Sequence, residues 1–260
     1  MNINQAFKIL SNISDPHIAR IITDAMPNMS RFRLWRISRQ LRANVPVAKI
    51  IHNKWFYGLK FYTNKWTLDP RPDTETLVDA VINDYKRAKH ISVADLGTGT
   101  GCIICAIVNN INANGVALEK SRLAIRVAKK NVHRLNMDKK INIKHGDLGN
   151  PHALPYNAFD VIVSNPPYIA RDDNRVDAGA THDPKLALYA DNNGYAAYKK
   201  IAQNAKNWIH DGGRIYIEIG IDMAEKVKEI FNRTGWIFIN SVSDLGGITR
   251  VLIFEKHNKI

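Results

Sequence analysis

The sequence predicts an α/β protein with a mainly parallel sheet, preceded by a small helical region. Three observations carry this. From residue 90 onward, strand-like apolar runs alternate with helical patterns. The first of these runs leads into a glycine-rich turn, Ala94-Asp95-Leu96-Gly97-Thr98-Gly99-Thr100-Gly101. The fourth ends in Ser164-Asn165-Pro166-Pro167-Tyr168, a stiff turn that fits neither a helix interior nor a central strand. Strand–helix alternation implies right-handed crossovers. Ligands of such sheets sit beyond the carboxyl ends of the strands, at the switch point, where both turns fall.

The elements follow in order. Residues 1–45 carry helical patterning and no convincing strand. Within them Phe32, Leu34, Trp35, Ile37 and Leu41 form an apolar set, with Arg33, Arg36, Arg39 and Arg42 on another face. Residues 55–66, aromatic and β-prone around Gly58 and Asn64, read as a β-hairpin. Asp69-Pro70-Arg71-Pro72-Asp73-Thr74 is a stiff linker into a helix from about Glu75, with Asp73 or Thr74 as its cap. Strands are expected over 91–96, 116–119, 141–145, 159–164, 214–219, 236–241 and 250–255. Helices are expected over 101–109, 121–136, 194–208 and 222–232. The last two strands, with Gly246-Gly247 between them, suggest an antiparallel pair at one edge. The organisation is then a helical region over 1–50, a hairpin and linker over 51–72, and the α/β domain over 73–260.

Charge is unevenly spread. The net charge is +13, and residues 1–70 hold 11 Lys/Arg against 3 Asp/Glu, a surplus of +8. A basic surplus suits acidic partners such as RNA or a ribosome surface, or simply solubility. No leader peptide is visible before Asp15-Pro16, and no apolar run approaches the ~20 residues of a membrane span. A cytoplasmic protein with no membrane partner is expected. Cys102 and Cys105 are the only cysteines, and no histidine pair has zinc spacing. They read as two buried residues one helical turn apart, with no metal.

The glycine turn has the spacing G-x-G-x-G. A dinucleotide loop would need glycine where Cys102 stands, and no P-loop lysine is present. Glu119 ends the second strand, where an acid reads ribose hydroxyls in folds of this kind. A glycine loop without diphosphate features, followed by a ribose acid, fits S-adenosyl-L-methionine. Gly97, Thr98, Gly99, Thr100 and Gly101 would cradle it, with loop amides meeting the methionine carboxylate. Asp147, ending the third strand, can accept a hydrogen bond from an adenine amino group or from the amides of its own loop.

The turn at 165–168 suits a planar NH2 group. The Asn165 side-chain carbonyl takes one hydrogen and the Pro166 carbonyl the other, with Pro166 and Pro167 holding the latter in place. Tyr168 can stack on the planar group. Hydrogen bonds accepted from both hydrogens return electron density to the nitrogen, so no titrating base is required.

With these residues in hand, the chain resembles amino-methyltransferases acting on planar NH2 groups. Five further stretches match in order: Trp55–Leu59; Pro70-Arg71-Pro72-Asp73-Thr74-Glu75; Asp183-Pro184 with Ala187-Leu188; Gly212-Gly213-Arg214 with Glu218-Ile219-Gly220; and Asp244–Gly247 with Arg250. From about residue 40 to 255 they are similar to the peptide chain release factor glutamine N5-methyltransferase family. The resemblance implies a class I S-adenosylmethionine-dependent methyltransferase: a Rossmann-like seven-stranded sheet, a small N-terminal helical domain and a hairpin hinge. It also implies a protein substrate, the glutamine of the Gly-Gly-Gln loop of release factors. Glu119 stands where the family has Asp, Asp69 where it has an apolar residue, and Asp183 where it has Glu. Leu148 follows Asp147 where an aromatic residue is common, and is placed with it at the adenine end. The chain is expected to be a monomer with no direct nucleic-acid substrate. The alternative is an adenine-N6 methyltransferase on DNA or RNA, which would use the same Asn-Pro-Pro-Tyr chemistry and suit the +13 charge.

Overall fold

The computed structural model describes residues 2–170 and 182–256. Four helices come first: α1 (Ile3–Ser11), α2 (Pro16–Ala25), α3 (Arg31–Arg42) and α4 (Val47–Ile51). Short polar side chains start the first three. Asn2 forms a capping box with Gln5, Asp15 accepts from the His17 amide ahead of Pro16, and Ser30 accepts from the Arg33 amide. Ala6, Leu10, Ile22, Leu34, Ile37 and Leu41 pack into a separate core. Phe32 and Trp35 leave the apolar face expected of them. They are 71% and 53% exposed, stack on each other at 5.9 Å, and Arg39 lies over the Trp35 ring. The stripe Leu34, Ile37, Leu41 already fills the buried face, and the i, i+3 pair falls outside it.

A hairpin follows, β1 (Lys54–Phe56) with β2 (Leu59–Phe61). Then come α5 (Glu75–Tyr85), β3 (Ile91–Leu96), α6 (Cys102–Asn110), β4 (Ala113–Glu119), α7 (Arg122–Arg134), β5 (Ile141–His145) and β6 (Phe159–Ser164). The chain continues with α8 (Lys185–Leu188), α9 (Ala196–Trp208), β7 (Ile209–Glu218), α10 (Ala224–Arg233), β8 (Trp236–Ser243) and β9 (Thr249–Lys256). The seven-stranded sheet has the order β5-β4-β3-β6-β7-β9-β8. Only β9 runs against the direction of the other six strands. Strand order reverses between β3 and β6, so the glycine turn and Asn165 leave the sheet side by side, with Leu96 paired to Ser164.

Helices cover both faces, which is why β3 and β6 are almost continuously apolar. One core joins α5 and α6 to the sheet and takes in Phe56 and Phe61 of the hairpin. The other joins α9 and α10. β4 begins earlier than expected because Ala113, Asn114 and Gly115 pair with β3, and Gly115 leaves room for Ile104. β7 also begins earlier: Ile209 pairs with Phe159, and the chain bulges before Arg214 resumes the ladder. No described helix is long and apolar enough to cross a membrane.

The expected cap of α5 is corrected. A 3-10 turn over Pro72–Thr74 enters the helix, and no side chain caps it. Asp73 instead pairs with Arg250 at 2.8 Å, and Thr74 turns to the end of β6. Glu75 reaches back to the Tyr57 amide at 2.7 Å, fastening the hairpin to α5.

Lys49 of α4 joins the helical unit to everything beyond it. Its ammonium is buried and donates to the carbonyls of Asn64 and Thr67 at 3.0 and 2.9 Å, and to Asp69 Oδ1 at 3.2 Å. Those bonds use its three protons. Asp183 Oδ1, 2.7 Å away, pairs with it by charge but lies outside hydrogen-bond geometry, and Arg71 reaches the other oxygen at 2.8 Å. The two acids that depart from the family pattern, Asp69 and Asp183, therefore both face this one cation. Replacing Lys49 by Met leaves Asp69 buried without a cation and Asp183 with Arg71 alone. About 3–5 kcal/mol of stability should be lost, read as a lower urea midpoint.

Candidate functional site

A cavity of about 360 Å³ opens at the switch point. Its walls come from the glycine turn, the ends of β4, β5 and β6, the stretch Trp66–Leu68, residues 184–191 and the start of α9.

Gly97 and Gly99 line it, both with positive φ, +76° and +56°. A Cβ on Gly97 would meet no atom within 4 Å, so a side chain there would take up cavity space. Gly101 faces α7 instead, where an added Cβ would come within 3.7 Å of the Ala128 side chain. Thr98 and Thr100 are buried and absent from the cavity wall. The Thr98 hydroxyl donates to Asp95 at 2.5 Å, and the Thr100 carbonyl accepts from Asn131 at 2.9 Å. Four of the loop amides are bonded within the fold. Those of Gly97 and Thr98 go to the Leu118 carbonyl, that of Gly99 to Glu119, and that of Gly101 to the Thr98 carbonyl. What this turn offers the cavity is chiefly room.

Glu119 lines the cavity at the end of β4. Its two oxygens accept from the Gly99 amide at 3.0 Å and the Ser121 amide at 2.8 Å. A carboxylate has about four acceptor positions, so each oxygen keeps one. Asp147 accepts from the Gly149 amide at 2.8 Å and pairs with Lys120 at 2.6 Å. Of the two roles open to it from sequence, the bond within its own loop is formed. Lys120, foremost, holds its carboxyl below the usual range. Leu148 lines the wall beside it, with its carbonyl held by Asn204 at 2.6 Å.

Asn165 reaches the cavity directly after β6. Its Nδ2 donates to Thr74 Oγ1 at 3.0 Å, and among the described residues nothing donates to its Oδ1. Pro167 lines the wall; Pro166 and Tyr168 do not. The Tyr168 ring packs toward Gly220 and Met223. Burial, then the nearby Glu218 charge, pushes its hydroxyl up to about 12.

Several residues here escaped sequence reasoning. Asn131 of α7 is buried and bonds the Tyr62 amide and carbonyl as well as the Thr100 carbonyl, tying the hairpin's exit to the glycine turn. Thr74 and Glu218 meet behind Asn165. Burial pushes both Asp95 and Glu218 up to about 7, and each has an oxygen without a hydrogen bond. Motifs containing all three acids or hydroxyls were visible, but nothing in the sequence said they would be interior. Cys102 and Cys105 are buried on α6, and burial pushes Cys102 up to about 12 and Cys105 higher still, so neither is a ready nucleophile. No metal-binding group of His, Cys, Asp and Glu occurs among the described residues.

Residues 71–182 match the family model described as the methyltransferase small domain. A bifunctional methyltransferase of Rickettsia felis is 36% identical, over 85% of this chain and 47% of that protein. A release factor glutamine methyltransferase of Caulobacter vibrioides is 32% identical, over 91% of this chain and 83% of that protein. The chain thus spans about half the length of its bifunctional relatives. A solved methyltransferase structure from Pyrococcus furiosus superposes with a TM-score of 0.60 at 19% identity, over 86% of this chain and 98% of that one, a likeness of fold.

The buried acids set a pH dependence. In the unfolded chain their carboxyls titrate near 4; folded, near 7. Between those values the native state holds protons that the unfolded chain has released, so these groups make stability fall as pH rises. Asp95→Asn removes one of them. In urea titrations at pH 5 and pH 8, the variant should gain about 2 kcal/mol or more on the wild type at the higher pH.

Proposed function

From the premise that this chain belongs to the release factor glutamine methyltransferase family, we propose that it methylates release factors. The methyl group passes from S-adenosyl-L-methionine to the side-chain amide nitrogen, N5, of the glutamine in their Gly-Gly-Gln loop. The observation that carries this reading is Asn165: on the cavity wall beside the glycine turn, with its nitrogen anchored on Thr74.

When bound, S-adenosylmethionine supplies a methyl group made electrophilic by its sulfonium. The chain's own residues do the rest. Gly97 and Gly99 leave the space for the donor, and Glu119 keeps an acceptor position on each oxygen for ribose hydroxyls. Asp147 and Leu148 form the wall at the adenine end. A planar NH2 group entering beside Asn165 meets its Oδ1 as one acceptor, and the Pro166 carbonyl, stiffened by two proline rings, as the other. Both bonds raise electron density on a nitrogen otherwise delocalised into its own carbonyl. The amide that has gained a methyl group sheds its extra proton to water unaided. Thr98, Thr100 and Gly101 build the turn from behind, and Tyr168 packs outside the cavity, against Gly220. The basic face of α3, with Phe32 and Trp35 exposed beside it, is where an acidic region of the substrate would dock. The enzyme acts as a cytoplasmic monomer.

Peptide mapping of release factor after incubation with labelled donor should find N5-methylglutamine. Label recovered as N6-methyladenine in DNA or RNA would establish the other reading. Glu119→Ala should weaken donor binding by about 1.5–3 kcal/mol in calorimetry. Asn165→Ala should leave donor affinity nearly unchanged and lower kcat/KM on the order of 10²-fold or more in steady-state assays.

A further inference from the structure

A carboxamide is nearly symmetric in shape, so packing alone hardly distinguishes its oxygen from its nitrogen. Yet only one orientation of Asn165 puts an acceptor into the cavity. Hydrogen bonding behind the side chain decides between them. Nδ2 donates to Thr74 Oγ1 at 3.0 Å, but a hydroxyl is an ambivalent neighbour, able to donate as well as accept. Alone it would serve a flipped Asn165 equally well.

Glu218 removes the ambiguity. It ends β7, two strands' width from the glycine turn, and is 3% exposed. The Thr74 hydroxyl and the Asn165 amide lie beside it and favour its ionised form. An ionised carboxylate only accepts. It takes the Thr74 proton, which leaves the hydroxyl's lone pairs to face Asn165, and it repels an amide oxygen turned inward. Thr74 and Asn165 are then both satisfied in one arrangement, with the Asn165 oxygen outward, while one Glu218 oxygen keeps no hydrogen bond. The backbone fixes the partners: Thr74 by the proline-bounded turn before α5, and Glu218 by the ladder between β7 and β9.

We propose that Thr74 and Glu218 are positioning residues that set the orientation of the Asn165 carboxamide, turning its oxygen toward the substrate NH2. This rests on the methyl transfer proposed above. It also explains why Thr74, at the cap position of α5, forms no cap. The charges around Glu218 are those of Asp73, which opposes its ionisation, and Arg250, which favours it; the Tyr168 and Tyr198 hydroxyls lie close by.

The test compares Thr74→Val, Thr74→Ser and Glu218→Gln with the wild-type enzyme on intact release factor. Thr74→Val keeps the shape and removes the acceptor. Its kcat should fall about tenfold or more, with KM for release factor and donor affinity within about twofold of wild type. Thr74→Ser restores the hydroxyl and should recover most of the rate. Wild-type kcat should rise with pH through about 7 as Glu218 ionises, and Glu218→Gln should be slower above that pH and lack the step. Wild-type kcat in Thr74→Val, or a loss in Thr74→Ser as deep as in Thr74→Val, would overturn the assignment. Should the wild-type enzyme itself leave release factor unmethylated, it is the proposed reaction that fails.

Discussion

The burial of one ammonium group orders the front of this molecule. Lys49 cannot sit in a dry site unless acids and carbonyls surround it, because an unpaired charge there costs several kcal/mol. The groups that surround it come from the loop after the hairpin, the linker and the segment at Asp183. Satisfying that single cation therefore brings α4, residues 64–69 and the segment at Asp183 together. Two of them, Trp66–Leu68 and Pro184–Asp191, are walls of the cavity. The shape of the site depends on a charge that never touches it.

Behind those walls the sheet supplies the rest. Reversal of strand order between β3 and β6 opens a gap at their carboxyl ends, and the residues that fill it are unlike their neighbours in kind: glycines on one side, Asn165 and prolines on the other. The glycine turn spends most of its amides on holding its own shape, while Glu119 both braces that turn and faces the cavity. Rigid support and open acceptors coexist because carboxylate and carboxamide groups have more bonding positions than the scaffold uses.

Periodicity and turn chemistry made much of this legible. The strands 91–96, 141–145 and 159–164 are bounded where the sequence places them; 91–96 and 159–164 are enclosed on both faces and read as short apolar runs. Gly97, Gly99, Glu119 and Asn165 were placed by their position at strand ends. What stayed hidden depends on contacts distant in sequence. Thr74 has the residue type and position of a helix cap, yet its partner lies 91 residues away. Lys49 and Glu218 are ordinary surface residues by type, and only the folded chain encloses them. Phe32 and Trp35 fit an apolar stripe on paper, but the stripe was already complete. The short helix α8 is too brief for any period to announce it.

Asn131 satisfies two carbonyls and one amide, all of them backbone groups. Every chain carries such groups at every position but proline, whatever its side chains. The dependence is therefore one-sided. Positions 62 and 100 are free to drift among residues that keep the main chain in place, whereas position 131 has to retain an amide of this length. Lys49 stands in the same relation to Asn64 and Thr67. The joint between hairpin and glycine turn is inherited through one letter of the sequence, and its other half is inherited for nothing.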